Sequence, residues 1–214
     1  MRQSTRMAAY HTAFEELRAK NLVYPCFCSR NEIATAAKDT DPNGAPLYTG
    51  LCRNLSKSDI VERLKRGDPV QWRLKMDAAL AEVGLLIAME ASVSGCNALW
   101  DTVRERPLTP ARWGDVVLVR KETTTSYHLS VVIDDADQGV THVTRGMDLY
   151  TATDLHVLLQ QLLGLPSPNY CHHHLLLDFQ GQKLAKSRNS PSLESLRKSG
   201  LSAEDVCRKV GFNF

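Results

Sequence analysis

The chain has no large excess of charge of either sign: across 214 residues, 26 Lys and Arg face 24 Asp and Glu, a formal net charge of +2. A broad electrostatic footprint for nucleic acid is thereby excluded. Any such contact must come from local patches, of which Arg53 to Arg66 and Lys183 to Arg188 are the candidates. No apolar run is long enough to span a bilayer, and the N-terminal stretch has no apolar signal-peptide core. Glu15 and Glu16 in the first helical stretch also argue against an organelle transit peptide. Six cysteines, unevenly spaced, do not make a disulfide-dense secreted domain, so reduced thiols in a cytoplasm are expected. Internal repeats and low-complexity tracts are absent as well. The length suits one domain with an insertion better than two small lobes.

What is present is a succession of periodic segments. Met7, Tyr10, Phe14 and Leu17 recur at helical spacing, which predicts an amphipathic helix in need of a packing partner. Ser56 to Arg66 read as a helix with a Ser56-x-x-Asp59 capping box and Gly67 as its stop. Val70 to Leu74 alternate like a strand, Asp115 to Arg120 are strand-like, and Tyr127 to Ile133 alternate as a further strand running into Asp134-Asp135. A turn at Gln138-Gly139 precedes a strand over Val140 to Val143. Thr153-Asp154 then cap a helix with Leu155, Leu158, Leu159, Leu162 and Leu163 on its apolar side, ended by Gly164 and Pro166. Two more helices are predicted over Ser192 to Lys198 and Ser202 to Val210. Residues 76 to 112 carry no clear period. Strand, helix, strand, then helices indicates an α/β core.

Two local patterns point to chemistry. Leu175 to Leu177 read as a short buried strand, Asp178 to Gly181 as a turn, and Lys183 and Lys186 follow beside Ser187. Two ammonium groups just beyond a rigid edge suit the neutralisation of charge on a polyphosphate during displacement. Solvated surface charge is the competing reading of a Lys-x-x-Lys pair. The second pattern is Cys26-Phe27-Cys28, then Tyr48 and Cys52, around a loop rich in Pro and Gly. Three soft ligands and a phenol lie close to a structural zinc site, and three buried cysteines are the alternative. His172-His173-His174 does not make a metal site, because adjacent side chains on an extended segment point to alternate sides. Cys96, Cys171 and Cys207 read as core thiols, and Trp72, Trp100 and Trp113 as packing residues.

Taken together, Gln3-Ser4-x-Arg6, Leu22 to Arg30, Tyr48-x-Gly50-x-Cys52-Arg53 and Gly139 to Leu149 with Arg145-Gly146-Met147-Asp148 resemble class I glutamyl-tRNA synthetase catalytic domains. The match is closest to their truncated paralogues, the glutamyl-queuosine tRNA(Asp) synthetases. It covers most of the chain apart from about residues 75 to 105. The resemblance implies a Rossmann-like catalytic domain with a small zinc-binding insertion. Residues 24–55 would form the zinc subregion, and 113–190 the second half of the nucleotide-binding fold with the lysine loop. It further implies that Cys26, Cys28, Tyr48 and Cys52 bind structural zinc and that Tyr127 and Arg145 hold glutamate. Lys183 and Lys186 would bind ATP and stabilise adenylation. An arginine fork suits a carboxylate because it forms two charge-assisted bonds. Read without the family, Tyr127 is an aromatic strand residue and Arg145 a structural ion pair with Asp148. His172 matches a recurrent family histidine, whereas His174 stands where the family usually has proline.

The implied partners are ATP with Mg2+, glutamate and tRNA(Asp) carrying queuosine, with no membrane and a monomeric, cytoplasmic protein if the chain is complete. Two departures bear on this. The strand, His-x-Gly-His signature and helix that open the family's nucleotide-binding fold do not precede Gln3, so the first half of that fold is expected to be missing. The face of Met7, Tyr10 and Phe14 and the central strands are then expected to lack partners. Ala185 also replaces the serine usual in the lysine signature. Two alternatives follow: an inactive zinc-stabilised remnant or tRNA-binding module, and a catalytic-domain fragment of glutamyl-tRNA synthetase.

Overall fold

A computed structural model describes residues 2–91, 103–123, 125–178, 180–185 and 189–210. In chain order these form α1 (Met7–Ala19), β1 (Val23–Cys26), α2 (Arg30–Ala36), α3 (Lys57–Arg66), β2 (Gln71–Leu74), α4 (Met76–Glu82), β3 (Ile87–Ala91) and β4 (Val103–Pro107). There follow β5 (Val117–Val119), α5 (Tyr127–Asp137), β6 (His142–Gly146), α6 (Thr153–Leu162), β7 (Asn169–His173), α7 (Leu193–Lys198) and α8 (Ala203–Lys209). Their boundaries follow from capping chemistry. Ser56 accepts from Asp59 N–H at 3.1 Å to open α3, and Gly67 closes it in the left-handed region at φ 80°. Reciprocal Ser–carboxylate boxes open α2 at Ser29/Glu32 and α8 at Ser202/Asp205.

The strands form two sheets. One is antiparallel in the order β1-β2-β5, and the other has the order β4-β3-β7-β6. Within the second, β7 pairs in parallel with both β3 and β6, and α6 makes the β6-to-β7 crossover that parallel pairing demands. The register sets Arg145 opposite His172 and Gly146 opposite His173, at the carboxyl ends of the parallel strands. Open α/β sheets present ligand-binding groups at this edge. The main core gathers Tyr10, Phe14 and Leu17 of α1, Leu129 and Val132 of α5, and Leu155, Leu158 and Leu159 of α6. Among the described residues, no helix is long and apolar enough to cross a membrane.

Four expectations are corrected. Tyr127 to Ile133 are the start of helix α5, not a strand. Ser126 accepts from Leu129 N–H at 3.4 Å, and Leu129, Val132 and Ile133 are buried at helical spacing, so packing overrides the strand preference of the β-branched run. Thr153 and Asp154 do open α6, but neither caps it. Asp154 is fully buried and is bound by Arg106 at 3.3 Å and Arg112 at 2.8 Å. Leu175 to Leu177 form no strand; the pairing ends at His173, and Leu176 and Leu177 are 46% and 54% exposed. The apolar face of α1 is covered, with Tyr10 and Leu17 wholly buried. Asp134 of α5 accepts from Arg6 Nε at 2.6 Å and from Tyr10 Oη at 2.8 Å, and Gln3 Nε2 donates to Ser130 Oγ at 3.2 Å. The central strands are partnered too: Tyr170, Cys171 and His172 of β7 are buried.

Asp154 compensates two guanidinium groups from a solvent-free position, and its removal leaves Arg106 of β4 partly buried without that counter-charge. Asp154→Ala is expected to cost about 3 kcal/mol of stability, read as a lower urea midpoint at unchanged slope.

Candidate active site and metal centre

Arg145 projects from β6 into a cage made by three elements. Its Nε donates to His172 Nε2 of β7 at 3.1 Å, Nη1 to His156 Nδ1 of α6 at 2.9 Å, and Nη2 to Thr153 Oγ1 of α6 at 2.6 Å. The guanidinium carbon lies 5.0 Å from the centre of the Tyr170 ring, and Tyr127 at the start of α5 faces the same group. Burial lowers the pKa of Arg145, opposed by Tyr170, Tyr127 and Asp135, and the group stays charged. The alternative ion pair with Asp148 is not formed, because Asp148 pairs with Lys183. Among the described residues, no carboxylate salt-bridges Arg145. The result is a partly buried cation held by neutral acceptors. Tyr127, 40% exposed, stands at its open side, edge-on to His156 at 5.7 Å between ring centres.

Behind this cation the polar groups continue in a line. His156 Nε2 lies 3.2 Å from His128 Nδ1, and His172 Nδ1 lies 2.7 Å from Glu90 Oε1, whose other oxygen binds Arg106. Burial, helped by Arg120 and Arg145, pushes His128 down to about 4, and burial with Arg145, His128 and His172 holds His156 well below its ordinary value. Both histidines are therefore neutral near pH 7. Burial would raise Glu90, but His172 and Arg106 outweigh it and keep the group a carboxylate. The sequence pointed to none of Glu90, His128 and His156, and to Thr153 only as a helix cap. The available signal was a histidine set among the leucines of an apolar helix face.

The lysine loop closes over the end of this sheet. Asp178 and Gly181 make the expected turn: Gly181 has φ 73°, its N–H donates to Asp178 O at 3.0 Å, and Asp178 Oδ1 accepts from Gln180 and Gln182 N–H at 2.9 and 2.8 Å. Lys183 is set opposite Leu177 by a single bridge and ion-pairs with Asp148. Gly146 is required by close approach, since a methyl there would stand 2.6 Å from Asp148 Oδ1 and 2.9 Å from Leu175 Cδ2. Lys186 lies outside the described residues, as do Cys96 and Trp100. His172 is buried while His173 and His174 are exposed, so the three do not converge. Of the basic stretch 53 to 66, Arg53 is paired with Asp77 and Asp115 and Arg66 with Asp68.

Cys26, Cys28, Tyr48 and Cys52 do come together. The three Sγ atoms lie within 4.8 Å of one another, and Tyr48 Oη is 3.4 Å from Cys26 Sγ and 3.8 Å from Cys28 Sγ. Tetrahedral thiolates at a zinc–sulfur distance near 2.3 Å stand roughly 3.8 Å apart, so the donor set fits zinc in chemistry and span. Around it, Gln71 Nε2 reaches Cys26 at 3.5 Å, Phe27 N–H reaches Cys52 at 3.4 Å, and the Arg73 guanidinium lies 3.8 Å over the Tyr48 ring. Burial works to raise Cys26, but bonds from Tyr48, Gln71 and Arg73 hold it down at about 7. Burial and the Cys52 contact push Cys28 up to about 12.

The family described as tRNA synthetases class I (E and Q), catalytic domain, matches residues 1–214. The chain belongs to that family. A protein of Rhodobacter capsulatus named glutamyl-Q tRNA(Asp) synthetase is 44% identical over 99% of this chain and 74% of its own length. One of the same name from Nocardia farcinica is 39% identical over 95% of this chain and 60% of its own length. The chain thus spans about three fifths to three quarters of these two relatives. The glutamate tRNA ligase of Elizabethkingia meningosepticum, solved with its amino acid, superposes with a TM-score of 0.65 over 94% of this chain and 38% of that one, at 23% identity. The expected α/β synthetase fold is therefore present. In this class I domain the cation cage and the lysine loop adjoin one end of the sheet through Gly146 and Asp148, and the thiol cluster forms a buried group of its own.

The neutral histidines make stability depend on pH. The unfolded chain protonates His128 near 6.5 and the folded chain only at about 4, so the unfolded state binds more protons between these values. Stability present at neutral pH is lost as pH falls through this window, by roughly 3 kcal/mol at most for His128. The midpoint of thermal unfolding is expected to fall steadily from pH 7 to pH 5, which a calorimetric series checks.

Proposed function

We propose that this chain is the catalytic domain of a cytoplasmic ligase that activates glutamate with ATP and transfers the glutamyl group to queuosine in tRNA(Asp). The reading is carried by one observation. Arg145 is a partly buried guanidinium that donates to His156, His172 and Thr153 and salt-bridges no carboxylate among the described residues. Asp135 acts on this cation only at a distance, and burying a cation that no carboxylate salt-bridges is costly, a cost recovered when an anion arrives. A carboxylate of glutamate is the anion of the right shape for the remaining fork, and Tyr127 would orient it.

In the first step a carboxylate oxygen of glutamate attacks the α-phosphorus of ATP, and pyrophosphate leaves with its magnesium. Lys183 and Lys186 would neutralise the charge that develops on the phosphates, work that depends on position and electrostatics. Lys183 must exchange Asp148 for phosphate to do so. In the second step a nucleophilic group of queuosine attacks the acyl carbon and AMP departs. Residues 113–190 would supply the second half of the nucleotide-binding fold. Residues 24–55 would form a zinc subregion in which Cys26, Cys28, Cys52 and Tyr48 hold the ion and keep the loop folded.

Glutamate-dependent ATP–pyrophosphate exchange without tRNA tests this reading. Exchange is expected from the 214-residue chain, lowered about 100-fold in Arg145→Ala and abolished in Lys186→Ala. Folded protein that shows no exchange overturns it. Elemental analysis after dialysis is expected to find about one zinc per chain, lost in Cys28→Ser with a fall in melting temperature; a metal-free wild type of equal stability would leave a cluster of buried thiols.

A further inference from the structure

Five N–H groups on a guanidinium and the bonds around Arg145 fix more than the place of a cation. Arginine donates and never accepts, so both histidine nitrogens that touch it must carry lone pairs. Nδ1 of His156 accepts from Nη1 at 2.9 Å, which puts the proton of His156 on Nε2. That proton points at His128 Nδ1, 3.2 Å away, and in turn places the His128 proton on Nε2. On the other side, Nε2 of His172 accepts from Arg145 Nε at 3.1 Å, so its proton is on Nδ1 and is donated to Glu90 Oε1 at 2.7 Å. Thr153 Oγ1 accepts from Nη2 at 2.6 Å and lies 3.4 Å from His172 Nε2, toward which its own hydrogen can point. One assignment of protons satisfies every bond. An imidazolium at either His156 or His172 would break it.

Three N–H groups of Arg145 go to His172, His156 and Thr153, and the remaining hydrogen on each terminal nitrogen faces the side that Tyr127 shares through a side-chain hydrogen bond to Arg145. A carboxylate arriving beside Tyr127 can take charge-assisted bonds from these terminal nitrogens. Each acceptor comes from a different point of the fold: His172 from the sheet, stacked on Tyr170 at 6.2 Å, and His156 and Thr153 from the buried first turns of α6. A long side chain at a strand end loses much rotamer freedom on binding unless it is already held.

We infer that His156 and His172 are positioning residues for glutamate, neutral acceptors of opposite tautomer that hold Arg145 in one orientation, with Glu90 setting the tautomer of His172. This deepens, and rests on, the proposal that Arg145 receives a glutamate carboxylate. Neither histidine touches the substrate. Their contribution is a pre-oriented fork, and a carboxylate at Glu90 on the far side of His172 keeps that ring from presenting N–H to the arginine. The same role for a metal is excluded at this place, since every histidine nitrogen facing Arg145 is already an acceptor for it.

The test has two arms on the whole chain. Histidine-selective 15N labelling and long-range proton–nitrogen correlation at pH 7 are expected to show His156 protonated on Nε2 and His172 on Nδ1. The reverse tautomer, or an imidazolium, at either residue overturns the inference, and this arm needs no variant. The second arm titrates L-glutamate into wild type, Arg145→Ala, His156→Leu, His172→Leu, His156→Asn and His172→Gln. The Asn and Gln amide oxygens stand near the positions of Nδ1 and Nε2. The leucine variants are expected to bind about tenfold more weakly and the amide variants within about threefold of wild type, all with cooperative unfolding. Leucine variants that bind like wild type, while Arg145→Ala does not, sink the positioning role and leave the substrate reading standing. Unchanged binding in Arg145→Ala sinks the substrate reading, and the inference with it.

Discussion

The parallel pairing of β6 with β7 is the constraint on which the site depends. It sets Arg145 beside His172 in register and leaves both at the carboxyl end of the sheet. A guanidinium drawn into this position loses water, and among the described residues no carboxylate salt-bridges it, Asp135 acting only at a distance. Its solvation is rebuilt from neutral acceptors, so its neighbours must stay neutral. That requirement propagates. α6 has to enter with Thr153 and His156 turned inward, which is why its first two turns are buried almost without interruption. Asp154 in the same turn then needs Arg106 and Arg112, and Arg106 in turn binds Glu90 behind His172. The polar groups of β3, β4, β6, β7 and α6 form one connected system inside an otherwise apolar core.

The thiol cluster is organised on a different principle. Its residues and Tyr24 and Phe27 form a small buried group apart from the main core. A group of this size contributes little burial energy, and a metal ion bound by thiolates would supply what the core lacks. Asp115 ties this region to the rest. It accepts from Tyr24 Oη at 2.7 Å and from Met76 N–H at 2.9 Å, and Arg73 binds its carbonyl at 2.7 Å while stacking on Tyr48. A strand pair, a helix start and, through Arg73, the tyrosine of the cluster thus meet at one residue, Asp115.

Much of the fold was legible because local signals and tertiary packing agree. The caps at Ser56 and Ser202 and the turn at Asp178 to Gly181 involve groups only a few residues apart, and such groups meet whatever the rest of the chain does. The cysteine cluster was legible from its side-chain types, although Tyr48 and Cys52 lie 20 or more positions beyond Cys26 and Cys28. α5 was misread because Val131, Val132 and Ile133 favour a strand locally, while their partners on α1 and α6 lie far away in sequence. The covered face of α1 was missed likewise: Arg6 and Tyr10 bind Asp134, more than 120 positions on, and no pattern announces that bond.

The sequence by itself determined the ligands and cations available for chemistry: thiols and a phenol at close spacing, Arg145 within a recognisable motif, and lysines after a tight turn. It also determined where most helices begin and end, since capping is settled within a few residues. The tertiary structure decided what those groups can do. It withheld Asp148 from Arg145 by giving it to Lys183, surrounded the arginine with neutral histidines drawn from α6 and β7, and buried Asp154 between two other arginines. The reason is physical: a charge acquires its strength from what desolvates it and what compensates it, and both are supplied by elements that meet only when the sheet has formed.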